Sequence, residues 1–374
     1  MLRPARALAA GFALATLAAC GASASAAPAA RPSSSGPTPR PSAAAPPAAP
    51  PVPLERVVGQ LVMAGMTGTA PDADLLQRVR DGQVGGVIVF GENVGPGLAD
   101  ALASLQHAAA AGGSPPLLVS TDQEGGSVRR LPGPPDSPRS VAGADEARRQ
   151  GEAAGALLAS RGIDVDLAPI ADVSQPGVGF EAAQGRGFPG GPEQVAALAA
   201  AFAEGLQARG VAATAKHFPG IGSLAQDTDA RAGVVSMTRE RLDSELLPFR
   251  RLIEAGVSLV MIANAIYPVL DAGRPALFSP AVMRDLLRGQ LGFQGVAITD
   301  DLDSASSLAG DAGSRAVAAV AAGADIVLFR VPRDGPLAAR ALLAAVRDGR
   351  LPEATVQAAY ARVLALKRRL GPGA

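Results

Sequence analysis

A chain of 374 residues, 48% of them hydrophobic, has ample material for one large α/β domain or two small ones. Lysine plus arginine and aspartate plus glutamate number 34 each, which removes the electrostatic case for nucleic acid or an anionic surface as partner. Tryptophan is absent and aromatics make up 3%, which argues against long stacking platforms for polymers and for a small ligand held by polar groups.

The N-terminus has the features of a targeting segment. Arg3 and Arg6 precede an apolar run, Ala7 to Ala19, that is too short to span a bilayer as a helix. It ends Leu17-Ala18-Ala19-Cys20, which resembles the bacterial lipoprotein signal, so residues 1–19 are expected to be removed and Cys20 lipidated. Cys20 is the only cysteine, so an intrachain disulfide is excluded. Residues 20–53 are rich in Ala, Pro and Ser and lack the large apolar side chains that folding needs, which predicts an extended tether. In polyproline geometry, about 3.1 Å per residue, it would reach on the order of 100 Å. The expected location is outside the cell, on the outer face of the bacterial cytoplasmic membrane and held there by lipid, with some of the protein secreted.

From Leu54 to the end, short apolar runs alternate with helix-length amphipathic segments. The runs are 61–66, 85–90, 116–122, 163–170, 211–218, 258–264, 295–300 and 324–329. Near-continuous Val, Ile and Leu suit parallel strands covered on both faces. Helices are expected over 191–210, 238–256, 336–349 and 352–370. Eight strands with intervening helices predict a single α/β domain over 54–374, a (β/α)8 TIM-type barrel. A doubly wound open sheet is the alternative, but "MAGMTGTA" after the first run is a poor phosphate-binding turn.

Polar residues fall where these strands end: Asp122, Lys216 with His217, Asn264, and Asp300 with Asp301, while Asp172 follows the fourth run. In a barrel such ends converge on the face where active sites are built. Carboxylates, a lysine and arginines gathered there suit a polyhydroxylated ligand, each hydroxyl being both donor and acceptor.

The segments "KHFPG", "TDQEGGSVRR", "LAPIADV", "GRGF", "LGFQGVAITDDL" and "RAVAAVAAGADIVLF" together resemble glycoside hydrolase family 3, in its single-barrel β-N-acetylhexosaminidase form. The resemblance runs from about Leu54 to Leu370 and implies the same barrel. It implies that Asp300 is the nucleophile of a retaining hydrolysis. It also implies that Asp122, Arg130, Arg186, Lys216 and His217 hold the sugar, that Asp172 supports them, and that Asn264, at a position where many relatives have histidine, is a further substrate-binding residue. Retaining chemistry needs a second group about 5–5.5 Å from the nucleophile to protonate the leaving oxygen and then activate water. The family uses a histidine at the end of the "KHFPG" loop; here that position is Asp229, and Ile221 replaces an earlier loop histidine.

Three readings of the loop stay open. Asp229 donates the proton, aided by Asp227 beside it; or the loop transfers no proton and the domain is a weak enzyme or a sugar-binding lipoprotein; or Asp227 and Asp229 only cap and fold the loop, and the acid comes from elsewhere. His107, in an Ala-rich helical stretch, is expected to be a surface or packing residue rather than part of the site. Asp300 is expected to be kept ionised by Lys216 and the arginines, and Asp301 or Asp303 to cap a following helix. The substrate expected is a terminal β-linked sugar, N-acetylglucosamine from cell-wall fragments. No nucleotide cofactor is expected. Nor is a metal, because no His/Cys/carboxylate cluster has ligand spacing.

Overall fold

The computed structural model describes residues 52–174, 179–228, 233–303 and 308–371. The proposed signal, Cys20, nearly all of the tether and Asp229 lie outside the described residues.

Each of the eight apolar runs contains a strand. They are β1 (Val62–Gly65), β2 (Gly86–Val89), β3 (Leu118–Thr121), β4 (Val165–Asp166), β5 (Ala212–Phe218), β6 (Leu259–Ile262), β7 (Val296–Thr299) and β8 (Val327–Phe329). All neighbours in this sheet pair in parallel, in the order β7-β6-β5-β4-β3-β2-β1-β8. A bridge between Ile298 and Ile326 joins its two edges, so the sheet closes into a barrel.

The runs read as continuously apolar because both faces of each strand are covered. One set of side chains, including Met63, Ile88, Leu118, Leu259, Met261, Ile298 and Leu328, fills the interior. The alternate set, including Val62, Val87, Val119, Val260, Ala297 and Val327, packs outward against the helices. Each such side chain fully buried contributes about 1.5–3 kcal/mol relative to exposure. The last helix, Glu353–Leu370, adds Val363 and Leu366 to the interior cluster. Lys367 on it donates to Gln60 Oε1 at 2.6 Å and to the Gly85 carbonyl at 2.8 Å, which ties the helix to the N-terminal ends of the strands.

The helices at 191–210, 336–349 and 352–370 appear as Pro192–Gln207, Asp334–Arg347 and Glu353–Leu370. The one expected over 238–256 is two, Arg239–Glu245 and Leu247–Glu254. Pro248 explains the break, since its ring has no N–H and clashes with the preceding turn, so it suits a helix start and not an interior. His107 is exposed on the helix Leu98–Ala111, as its Ala-rich surroundings suggested.

Candidate active site

The C-terminal ends of the strands open into a pocket of about 390 Å³. Ile88, Leu167, Met261 and Leu328 give it apolar wall, and its charged wall comes from Lys216 and His217 within β5, from residues following β3, β7 and β8, and from the loops after β3, β4 and β5.

Asp122 stands immediately after β3. It is followed by a tight hairpin, Gln123–Gly125 paired with Val128–Arg129, whose turn requires glycine: φ is +90° at Gly125 and +64° at Gly126. Gln123 locks the hairpin from behind by donating to the carbonyls of Leu131 and Pro134 and accepting from the Leu131 N–H. Glu124 and Arg130 are thereby fixed beside Asp122.

The centre of the site is an ion-pair network. Lys216 Nζ lies 2.7 Å from Asp122 Oδ1 and 2.6 Å from Glu124 Oε1. Arg186 grips Glu124 with two donors, Nε at 2.6 Å and Nη2 at 2.9 Å, in the fork geometry that suits a carboxylate. Arg130 Nη2 stands 3.3 Å from Asp122 Oδ2. Burial alone would raise Asp122, but Lys216, Arg130 and Arg186 outweigh it and hold the carboxyl at about 2. Glu124 is lowered in the same way by Lys216 and Arg186. Burial works against the charge on Lys216 too, yet Asp122 and Glu124 raise it above an ordinary lysine. Beneath them Asp166 accepts the Gln123 N–H at 2.9 Å, and burial pushes its carboxyl up to about 8.

A second network surrounds His217. Its Nδ1 is 2.9 Å from Asp172 Oδ2 and 3.2 Å from Glu181 Oε1. Asp172 also accepts the main-chain N–H groups of His217 and Ile221, so it orients the ring and the loop together. Burial would lower His217, but Asp172 and Glu181 raise it to about 10, making the ring an imidazolium at neutral pH. Glu181, buried and next to Asp172, is raised to about 7. Donor atoms of Asp172, Glu181 and His217 all lie within 4.8 Å of one another. This corrects the expectation that no His/carboxylate cluster exists: the three come from separate segments, and linear spacing could not reveal them.

Asp300 follows β7, and its Oδ1 accepts the Asp301 N–H at 2.9 Å. Burial pushes its carboxyl above the usual range, against the pull of His217 and Lys216. The arginines expected to help are engaged elsewhere, Arg186 with Glu124 and Arg130 with Asp122. Asp301 Oδ1 accepts the N–H groups of Asp303 and Arg330, and Asp303 accepts that of Val331. These two aspartates therefore pin the end of β7 to the end of β8; residues 304–307, where a helix capped by them would begin, lie outside the described residues.

The loop after β5 carries a further correction. Ile221 is 1% exposed and packs in the core, so at this position the side chain faces away from the pocket. Asp227 and Thr228 reach the pocket wall. Asn264 does not line the pocket: it is buried behind the loop and donates to the Thr228 carbonyl at 3.3 Å. The pocket thus gathers Asp122, Arg130, Arg186, Lys216, His217, Asp227 and Asp300 from the sequence-predicted set. Sequence reasoning missed Glu124, Glu181 and Arg330. Glu124 lay inside the "DQEGG" motif and could have been found there, whereas Glu181 and Arg330 stand in no motif.

The model of the glycosyl hydrolase family 3 N terminal domain matches residues 53–366. A beta-hexosaminidase of Stenotrophomonas maltophilia is 36% identical over 286 residues, covering 73% of this chain and 84% of the relative. Among solved structures, a family 3 beta-N-acetylglucosaminidase from a Paenibacillus species superposes with a TM-score of 0.82 at 39% identity. That alignment covers 87% of this chain and 64% of the longer one. A beta-N-acetylhexosaminidase from Beutenbergia cavernae gives 0.78 at 36% identity, covering 85% of this chain and 99% of that one. The chain belongs to glycosyl hydrolase family 3. Its class is that of a glycosidase.

Proposed function

We propose that this protein is an exported β-N-acetylglucosaminidase that removes a terminal β-linked sugar from cell-wall fragments by a retaining mechanism, anchored to the membrane through a lipid on Cys20. The observation that carries the reading is the half-buried carboxylate of Asp300 at the strand ends, facing a pocket in which Asp122, Glu124, Lys216 and Arg186 are locked in ion pairs with one another. The names and activities of the relatives support the choice of sugar, and the Arg3/Arg6 and "LAAC" pattern supports the export and anchor.

In this mechanism Asp122, Lys216, Arg186 and Arg130 hold the sugar hydroxyls. Their mutual pairing fixes donors and acceptors before the substrate arrives, so little reorganisation is needed on binding. Asp300 attacks the anomeric carbon as the glycosidic bond breaks, and Asp229 gives its proton to the departing oxygen. Asp229 then takes a proton from water, which displaces Asp300 from the sugar. Asp227 beside Asp229 favours the protonated acid through like-charge repulsion. The cationic His217, held by Asp172 and Glu181, offsets the desolvation cost of the half-buried carboxylate at Asp300.

The test is hydrolysis of 4-nitrophenyl β-N-acetylglucosaminide by the purified protein. The expected result is release of nitrophenol, lost by several orders of magnitude in Asp300→Asn. Asp229→Ala is expected to harm glycosides with poor leaving groups far more than activated aryl ones, since activated leaving groups need little protonation. Equal inertness of wild type and Asp300→Asn across a panel of aryl glycosides would refute the catalytic assignment.

A further inference from the structure

The cations of the pocket differ in what they hold. Lys216, Arg186, Arg130 and His217 each face at least one carboxylate. Arg330 does not. Among the described residues its guanidinium makes no hydrogen bond or ion pair; its contact is the Phe90 ring, 5.2 Å from the centroid. The carboxylates on the same wall, Asp227 and Asp301, have partners of their own.

The position of Arg330 is nevertheless tightly set. Its main-chain N–H is held by Asp301 Oδ1 at 3.1 Å, and the next N–H, of Val331, by Asp303 Oδ2 at 2.8 Å. Its carbonyl lies so close to β1 that a Cβ at Gly65 would stand 2.0 Å from the oxygen, and only glycine fits there. Phe90, just past β2, gives the guanidinium a flat surface to lie on. Such a group, pre-oriented and with its donor fork unspent, is matched to a planar anion.

Burial says where that anion would be. Lys216, His217, Glu124 and Arg186 are buried, whereas Arg330 is exposed although it lines the same pocket. A terminal sugar held by the buried groups turns its leaving group towards the exposed side. We propose that Arg330, laid on Phe90, is a leaving-group subsite for a carboxylate, so that this protein favours glycosides whose aglycone is anionic. The proposal rests on the glycosidase reading of the same pocket.

The experiment measures binding by calorimetry of two S-linked, non-hydrolysable aryl β-N-acetylglucosaminides. They differ only in a carboxylate or an isosteric carboxamide on the aryl ring. A charged hydrogen-bonded pair predicts that wild type binds the carboxylate about 10- to 100-fold more tightly. Arg330→Gln should abolish that ratio while changing carboxamide binding less than about twofold, and Arg330→Lys should keep part of it. A wild-type ratio near one, or a ratio unchanged in Arg330→Gln, overturns the proposal. Tighter binding of the corresponding phosphonate overturns the choice of carboxylate. Because no turnover is involved, the result is independent of whether the O-linked aryl glycoside is cleaved, which reports on the hydrolase reading instead.

Discussion

The two ends of the barrel both bury charge, and they do so in different ways. At the N-terminal end Asp325 accepts the Ala297 N–H and is bound by Arg288 and Arg362. There too Lys367 is bound by Gln60 and the Gly85 carbonyl. Every one of these partners is protein, and no pocket comparable to the one at the other end opens onto Asp325 among the described residues. At the C-terminal end Asp122, Glu124, Lys216 and Arg186 are equally well paired, yet all four face a pocket. Buried charge by itself therefore does not mark a site; buried charge that borders open space, with one carboxylate left without a cation in contact, does.

The comparison is broken most forcefully by removing one charge from each end. Asp300→Asn should cost several orders of magnitude in kcat with little change in unfolding free energy. Asp325→Ala should do the reverse. It strands two arginines and an N–H, and should lower stability by about 3 kcal/mol in urea denaturation while leaving kcat/KM of the folded protein unchanged. If Asp325→Ala reduced kcat/KM as much as stability, the two ends would not be separable.

A finer contrast comes from pH. Burial lowers Lys367 to about 7, so between that pH and the ordinary lysine value the unfolded chain holds a proton that the folded one has released. Stability contributed by this group must then rise as pH rises from about 7 towards 10.5. Lys367→Met removes the linkage, so the wild-type unfolding free energy should gain on the variant by about 4 kcal/mol over that range. Asp164, raised by burial to about 7 although Lys367 pulls it down, acts oppositely; Lys367→Met removes that pull and lifts it further, so the comparison is read towards the alkaline end of the range. A pH-independent difference between wild type and variant would show that Lys367 is not held against its charge. At the other end His217, raised to about 10, loses its stabilising contribution from about 6.5 upward, a decline both proteins share.

The barrel was legible because each strand is covered on both faces, which writes an uninterrupted apolar run into the sequence. Pro248 hides in an otherwise continuous helical pattern and still splits it. Asp122, Lys216, His217 and Asp300 were legible because they stand at strand ends. Glu181 was not, because it lies in a short helix, Phe180–Ala183, whose surroundings give no periodic signal and whose partner His217 is far along the chain. Asp325 likewise meets Arg288 and Arg362, each 37 residues away, through closure of the barrel and not through any motif. Asn264 misled because a strand-end position does not say whether a side chain faces the pocket or the loop behind it. The departure at position 221 was visible in the sequence, but its reason, a side chain buried in the core, was not.

The central claim is that Asp300 forms the bond to the sugar. Incubating the protein with a 5-fluoro N-acetylglucosaminyl fluoride should slow release of the sugar and let the covalent intermediate accumulate. Peptide mass spectrometry with fragmentation would then locate it. The account predicts one sugar adduct per chain, on Asp300 and not on Asp301. An adduct on any other residue, or undiminished labelling of Asp300→Asn, would contradict it.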